Sequence, residues 1–453
     1  MTRLWRAATL ILTATALVVG PASAVFATEG DSGGRDGRPI DSAPDRRGDP
    51  AVDTAIDVVV DVPDASVVDA VTLADIERAR AAGTDVVKHT PVLTSVTLSS
   101  DIGGNVVLKA ENLQRTGAFK IRGAMNKLAA LGDARTAGVT TGSAGNHAQA
   151  LAVAAEHFGV PCDIFVPTGA PITKIDASRR AGARVLEVGD ELADAVAAAR
   201  ALADDRGATF CPPFDDADVV AGQGTLGLEL LDDVDDLATV IVPLGGGGLI
   251  SGVAIALKSR RPGLRVIGVQ AEVCAPFAGH PVADGPVRTL ADGIAVKARG
   301  EVTGPLVERW VDEVVTVDEN AIGDAMVLLM ERAKLYVEGA GAVGVAALLS
   351  GAVVPATTGA TCAVISGGNV DLGVVPSLIR RHENLAGRRL VITARIDDRP
   401  GALASLLAVF ADGGADLIEV EHLREGLDLG VRETGIQATF EVRDQEQARR
   451  IIA

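Results

Sequence analysis

Between residues 106 and 366 the chain repeats one pattern: a short, almost wholly apolar run, then a stretch of helical periodicity. The runs cover residues 106–108, 162–167, 183–188, 240–243, 265–269, 314–317 and 362–366, and helical stretches such as 192–203, 249–259 and 321–334 stand between them. Apolar runs without polar alternation suit strands covered on both faces. Strand–helix alternation builds βαβ units with largely parallel pairing. The chain therefore reads as α/β, with ligands expected beyond the carboxyl ends of the strands. Two lobes are expected, the smaller formed by about 116–214 and inserted in the larger, with a site in the cleft between them.

Four segments carry the chemistry. In KAENLQRTGAFKIRGA (109–124), Lys120 follows Phe119 and opens an alanine-rich helical run. A partly desolvated lysine can condense with a carbonyl to form a Schiff base, although lysines at helix starts are commonly plain surface residues. TTGSAGNHAQ (140–149) reads as a strand-to-helix turn whose free N–H groups suit a carboxylate or phosphate. VIVPLGGGGLI (240–250) runs a buried strand into four glycines and a helix, so the main chain can close around phosphate oxygens. It is neither a P-loop nor a good GxGxxG fingerprint. CAVISGGN (362–369) is an apolar strand ending in a hydroxyl and glycines. Each alone is compatible with an ordinary tight turn. Together they supply a carbonyl-trapping lysine, an anion-binding helix start, a phosphate cradle and a hydroxyl.

That set, in that order, resembles the fold-type II pyridoxal-phosphate enzymes, and most closely the threonine ammonia-lyases (threonine dehydratases), over roughly residues 71–453. The resemblance implies a two-lobed, tryptophan synthase β-like catalytic domain with pyridoxal 5'-phosphate as cofactor. Lys120 would hold the cofactor covalently and remove the substrate's α-proton, with Phe119 against the pyridine ring and Asn146 on its 3-hydroxyl. Gly245, Gly246, Gly247, Gly248 and Leu249 would hold the phosphate, and Ser366 would face the ring nitrogen. Ser143, Ala144, Gly145 and His147 would grip the substrate carboxylate. Two positions depart from the family: Ala118 stands where serine is usual and Ala110 where proline is frequent. Neither supplies an obligatory side chain.

The implied reaction is β-elimination of L-threonine to 2-oxobutanoate and ammonia, with L-serine to pyruvate as a second reaction. Alternatives are a serine racemase and, from another class, an inactive amino-acid-sensing protein. Serine-racemase relatives place a serine opposite the lysine, where this chain has Ala144, which cannot carry a proton. Those relatives bind a divalent ion after the strand that here spans 266–270. Gln270, Cys274 and Pro276 form a poor oxygen ligand set, so no magnesium or calcium site is expected there.

Composition agrees with a metabolic enzyme of two or three domains in 453 residues. A net charge of −18 disfavours nucleic acid and anionic membrane as partners. Cys162, Cys211, Cys274 and Cys362 are far apart and sit mostly in apolar runs, as buried free thiols do.

Past residue 387 the pattern changes. A strand over 389–397, a helix over 404–410, strands near 417–423 and 434–442, and a helix from Gln445 follow in turn. This βαββα order resembles an ACT domain, an α+β amino-acid-sensing module, with the chain stopping where its last strand would begin. The resemblance implies a homo-oligomer, dimer or tetramer, with an amino acid as effector at this module. Catalytic and ACT-type domains are expected over 71–386 and 387–453. Ahead of them, residues 1–27 match a signal peptide: Arg3 and Arg6, an apolar run, then Ala22-Ser23-Ala24. A Gly/Asp/Arg-rich linker is expected over 28–70. A cytoplasmic location is nevertheless expected from the metabolic role, with the N-terminal segment read as a start assigned too far upstream.

Overall fold

The computed structural model describes residues 70–453, except Thr84, residues 281–284 and 426–427, and the side chains of Thr173 and Lys174. The expectations for residues 1–69 lie outside the described residues. The chain divides into two compact units, one ending at Ile379 and one beginning at Arg380. This division falls inside the helix Val375–Leu385, a few residues before the boundary expected at 386/387.

The first unit contains two sheets. The larger has strands β1 (Val92–Thr94), β2 (Val106–Ala110), β7 (Leu237–Pro243), β8 (Arg265–Ala271), β9 (Glu313–Val317) and β10 (Ala360–Ile365), in the order β1-β2-β10-β7-β8-β9. The smaller is formed by β3 (Val139–Gly142), β4 (Cys162–Val166), β5 (Arg184–Glu187) and β6 (Thr209–Phe210), in the order β5-β4-β3-β6. Every pairing is parallel except β1 with β2. Every residue of β10 is buried, as are all but one of β7, which is why these runs read as apolar without alternation. The smaller sheet lies within 139–210, inside the lobe expected over 116–214.

Beneath the lysine segment runs a buried ionic network that sequence reading missed. Arg122, 2% exposed, donates from Nε and Nη2 to Glu111 at 2.7 and 2.8 Å, and from Nη1 and Nη2 to Glu229 at 2.7 and 2.9 Å. Lys109, fully buried, bonds Glu229 at 2.8 Å, Asp233 at 3.0 Å and the Thr90 carbonyl at 2.7 Å. Burial alone would raise the Glu229 pKa, but Arg122 and Lys109 more than offset it and hold the carboxyl below its usual range. The network fastens β2 to the helices Ile121–Ala130 and Ala217–Asp233.

The second unit is a three-stranded antiparallel sheet, β11 (Arg389–Asp397), β12 (Asp416–Leu423) and β13 (Glu433–Glu441), in the order β11-β13-β12. With the helices Ala402–Asp412 and Gln445–Ile452 it gives the expected βαββα order. Its core includes Leu390, Ile392, Leu406, Ile436 and Phe440, with Phe410 stacked on Phe440 at 4.3 Å between ring centroids.

Candidate active site

The four segments singled out above meet in the first unit. Lys120 caps the helix Ile121–Ala130, and the preceding loop is laced to the end of β10. Phe119 N donates to Ser366 O at 3.0 Å, Ala118 bridges to Gly367, and Gly368 N donates to Gly117 O at 2.8 Å. The lysine and serine motifs, some 240 residues apart in sequence, are therefore neighbours through backbone pairing. Ser366 is 2% exposed, and among the described residues its hydroxyl has no hydrogen-bond partner.

Lys120 Nζ donates to Pro213 O at 2.6 Å and lies 5.1 Å from the centroid of the Phe119 ring. The side chain keeps some solvent contact, while dense protein surrounds its ammonium. Burial pulls its pKa down to about 8, against the opposing attraction of Glu338. A lysine so placed carries an appreciable neutral fraction near neutral pH, which nucleophilic and base chemistry both require.

The glycine loop leaves β7 and enters the helix Gly248–Arg260, whose start has no side-chain cap. Gly247 has φ +94, a left-handed conformation that favours glycine. A Cβ at Gly246 would run into the Phe214 ring, and one at Gly245 would lie 2.9 Å from Ile294 Cα. The loop is held from behind. Thr303 Oγ1 donates to Gly246 O at 2.6 Å, while Asp215 accepts from the backbone N–H groups of Glu301, Val302 and Thr303 at 2.9–3.0 Å. First-turn amides, no side chains and a fixed loop carbonyl make a cradle for a phosphate.

Ser143, Ala144 and Gly145 join β3 to the helix Asn146–Phe158, which also begins without a side-chain cap. His147 is 3% exposed and its Nε2 lies 3.0 Å from Cys211 O. A carbonyl only accepts, so Nε2 carries the proton. Burial, and then the charge of Lys120, push the His147 pKa down to about 3, despite the bond to Cys211. Its ring is thus neutral, with Nε2 committed to Cys211. All four cysteines are free and buried.

Asn146 introduces partners that sequence reading did not assign. Its Nδ2 donates to Glu338 Oε1 at 2.8 Å, and its Oδ1 accepts from Asn369 Nδ2 at 2.8 Å. Glu338 is 6% exposed and immediately precedes the apolar helix Gly339–Leu349. A lone carboxylate opening a wholly apolar helix was the sequence signal available. A cavity of about 370 Å³ shares Glu338 and Asn369 with this cluster, and its lining mixes charged side chains such as Arg288, Glu319 and Asp371 with Leu290 and Met326. Near the end of β8, Gln270 accepts from the N–H groups of Phe277 and Ala278 at 2.9 and 3.2 Å, so its oxygen fastens the turn Pro276–Ala278.

Comparison with known proteins bears on these residues together. Residues 83–367, well over half the chain, match the family model described as pyridoxal-phosphate dependent enzyme. The chain belongs to the pyridoxal-phosphate-dependent enzymes. Within that family it is 44% identical over 387 residues to the L-threonine ammonia-lyase of Thermotoga maritima, covering 84% of this chain and 96% of that relative. It is also 44% identical to a catabolic L-threonine dehydratase of Staphylococcus aureus, over 70% of this chain and 94% of that one. Among solved structures it is similar to the T.th. threonine deaminase (TM-score 0.62, 38% identity, 66% of this chain and 99% of that chain). It is also similar to maize serine racemase (TM-score 0.65, 35% identity, 69% and 98%). The family's cofactor fits the residues present: the glycine loop suits its phosphate, the desolvated lysine its carbonyl, and the open hydroxyl of Ser366 its ring nitrogen.

Proposed function

We propose that this protein is a threonine ammonia-lyase, converting L-threonine to 2-oxobutanoate and ammonia, and L-serine to pyruvate and ammonia. The reading is carried by Lys120, desolvated and set between the glycine loop and the Ser366 strand end. Pyridoxal phosphate, when bound, supplies an electron sink for the substrate's Cα. Lys120 Nζ would hold the cofactor's carbonyl carbon. Once free, its neutral amine would take the proton from Cα, and with that proton the β-hydroxyl would depart as water, leaving an enamine that hydrolyses to the oxo acid and ammonia. Ser366 offers the ring nitrogen a neutral hydroxyl partner in place of a carboxylate, which favours prompt loss of the leaving group. The uncapped start of Asn146–Phe158, with Ser143, Ala144 and Gly145 before it, would receive the substrate carboxylate on backbone N–H groups.

The unit beginning at Arg380 supports a regulatory role in this reading. Gly401, at φ +89, opens the helix Ala402–Asp412 without a side-chain cap, a start that suits the carboxylate of an amino-acid effector in a homo-oligomer. Isoleucine or valine should alter threonine turnover by the full chain and not by a chain lacking 388–453.

The test of the activity is direct. Purified protein should be yellow, borohydride should fix the cofactor onto Lys120, and threonine should yield 2-oxobutanoate. A colourless Lys120→Ala variant that turned over threonine at the wild-type rate would sink the reading.

A further inference from the structure

The Asn146 carboxamide is fixed by an acceptor on one side and a donor on the other, and this decides what it can offer a ligand. Asn369 Nδ2 gives one proton to Thr116 O at 2.9 Å and the other to Asn146 Oδ1 at 2.8 Å, so both its donors are used. Asn146 Nδ2 gives one proton to Glu338 Oε1 at 2.8 Å. Turning the Asn146 amide over would set oxygen against the Glu338 carboxylate and nitrogen against the Asn369 amide. Both contacts would then be repulsive. The orientation is therefore specified twice. One Asn146 N–H remains, and Asn146 can meet a cofactor oxygen there only as a donor.

The chain of bonds also joins the lobes. Asn146 opens a helix packed on the smaller sheet, whereas Glu338 and Asn369 belong to segments beside β10 of the larger. The main chain of Glu338 is anchored by its N–H donating to Gly367 O at 3.1 Å, and a Cβ added at Gly367 would run into its carboxylate. Its negative charge also draws on the Lys120 ammonium.

We propose that Glu338, backed by Asn369, is a positioning residue for the cofactor: it locks the Asn146 carboxamide as a pure donor, so that the ring oxygen it meets is kept as a deprotonated acceptor. This rests on the pyridoxal-phosphate reading above and adds to it a residue that, acting through Asn146, sets the bound cofactor's electronic state.

The experiment is reconstitution of apoprotein with pyridoxal phosphate, reading the dissociation constant and the visible absorbance band. Glu338→Ala removes one of the two restraints on the amide and leaves it held by Asn369 alone, so the dissociation constant should rise about tenfold, and the visible band should lose intensity to a near-ultraviolet form. In Glu338→Gln the side-chain oxygen still accepts from Asn146, so affinity and band should return to within about twofold of wild type. Asn369→Asp, nearly isosteric, places an acceptor against Asn146 Oδ1 and should reproduce the loss even if Glu338→Ala folds poorly. Wild-type affinity and band in Asn369→Asp, or in a folded Glu338→Ala, overturn the proposal. So does a Glu338→Gln variant as impaired as Glu338→Ala, which would assign the effect to charge alone. A wild-type protein that binds no pyridoxal phosphate overturns this proposal and the functional reading together; unaffected variants overturn only this one.

Discussion

Replacing Arg122 by methionine keeps much of the side chain's length and removes the cation at the centre of the buried network. Glu111 and Glu229, 0% and 6% exposed, lose four hydrogen bonds of 2.7–2.9 Å between them. Glu111 then keeps the Thr90 hydroxyl, and Glu229 shares Lys109 with Asp233. Breaking a buried ion pair from one side costs about 3–5 kcal/mol, because an uncompensated charge is left in a poorly solvated site. At about 1.4 kcal/mol per factor of ten, the folded-to-unfolded ratio should fall a hundredfold or more. Urea unfolding of holoprotein at pH 7.5, followed by far-ultraviolet circular dichroism, measures this. Arg122→Lys keeps the charge without the two-sided fork and should lose less, about 1–2 kcal/mol. The sign with pH is set by Glu229, whose folded pKa is lowered. Its stabilisation in wild type is present above the unfolded value near 4.5 and is lost as pH falls through the folded value. In Arg122→Met that stabilisation is largely gone, so the deficit should hold between pH 7.5 and 5 and narrow as pH falls below about 4.5, where wild type loses it too. A deficit below about 1 kcal/mol at pH 7.5, or one that does not narrow at the lower pH, would refute the reasoning.

Three further outcomes are expected. Gly246→Ala drives a methyl into the Phe214 ring, so pyridoxal-phosphate affinity should fall by the equivalent of about 1–3 kcal/mol, and wild-type affinity on reconstitution would contradict a closed cradle. His147 has a folded pKa of about 3, so the stability it secures is complete above 6.5 and is lost as pH falls toward that value. Relative to His147→Gln, wild type should therefore weaken by up to about 1.4 kcal/mol per pH unit below 6.5, and parallel unfolding curves would show the histidine protonated in the fold. With Ala144 between β3 and the helix Asn146–Phe158, no serine hydroxyl at that position is available to return a proton, so chiral chromatography should find pyruvate forming from L-serine faster than D-serine; the reverse order would make racemisation the main reaction.

Some of this was legible in the chain because local physics alone decides it. A strand buried on both faces is largely apolar, which is why β7, β8 and β10 stand out in the sequence. A main-chain cradle needs glycine, and a desolvated amine needs a lysine with apolar company, so the glycine loop and Lys120 announced themselves. Short β1 and β6, three and two residues long, were missed because too few residues remain to carry a period.

What the sequence could not determine is which polar side chains meet. Glu338, Asn369 and Asn146 are separated by up to 223 positions, and their bonds exist only because the loop at 117–119 pairs with the end of β10 and brings the small sheet's helix start alongside. Arg122, Glu111 and Glu229 carry no sequence signal that pairs them; only the packing of Ala217–Asp233 against Ile121–Ala130 removes them from water and turns them into a network. His147, expected at the substrate carboxylate, has its ring bound to Cys211 O, 64 residues on. Backbone conformation and burial follow from near neighbours and side-chain polarity, so the sequence determined them. Hydrogen-bond partners and pKa values depend on the dielectric and the charges a residue meets in space, and the tertiary structure alone decided those.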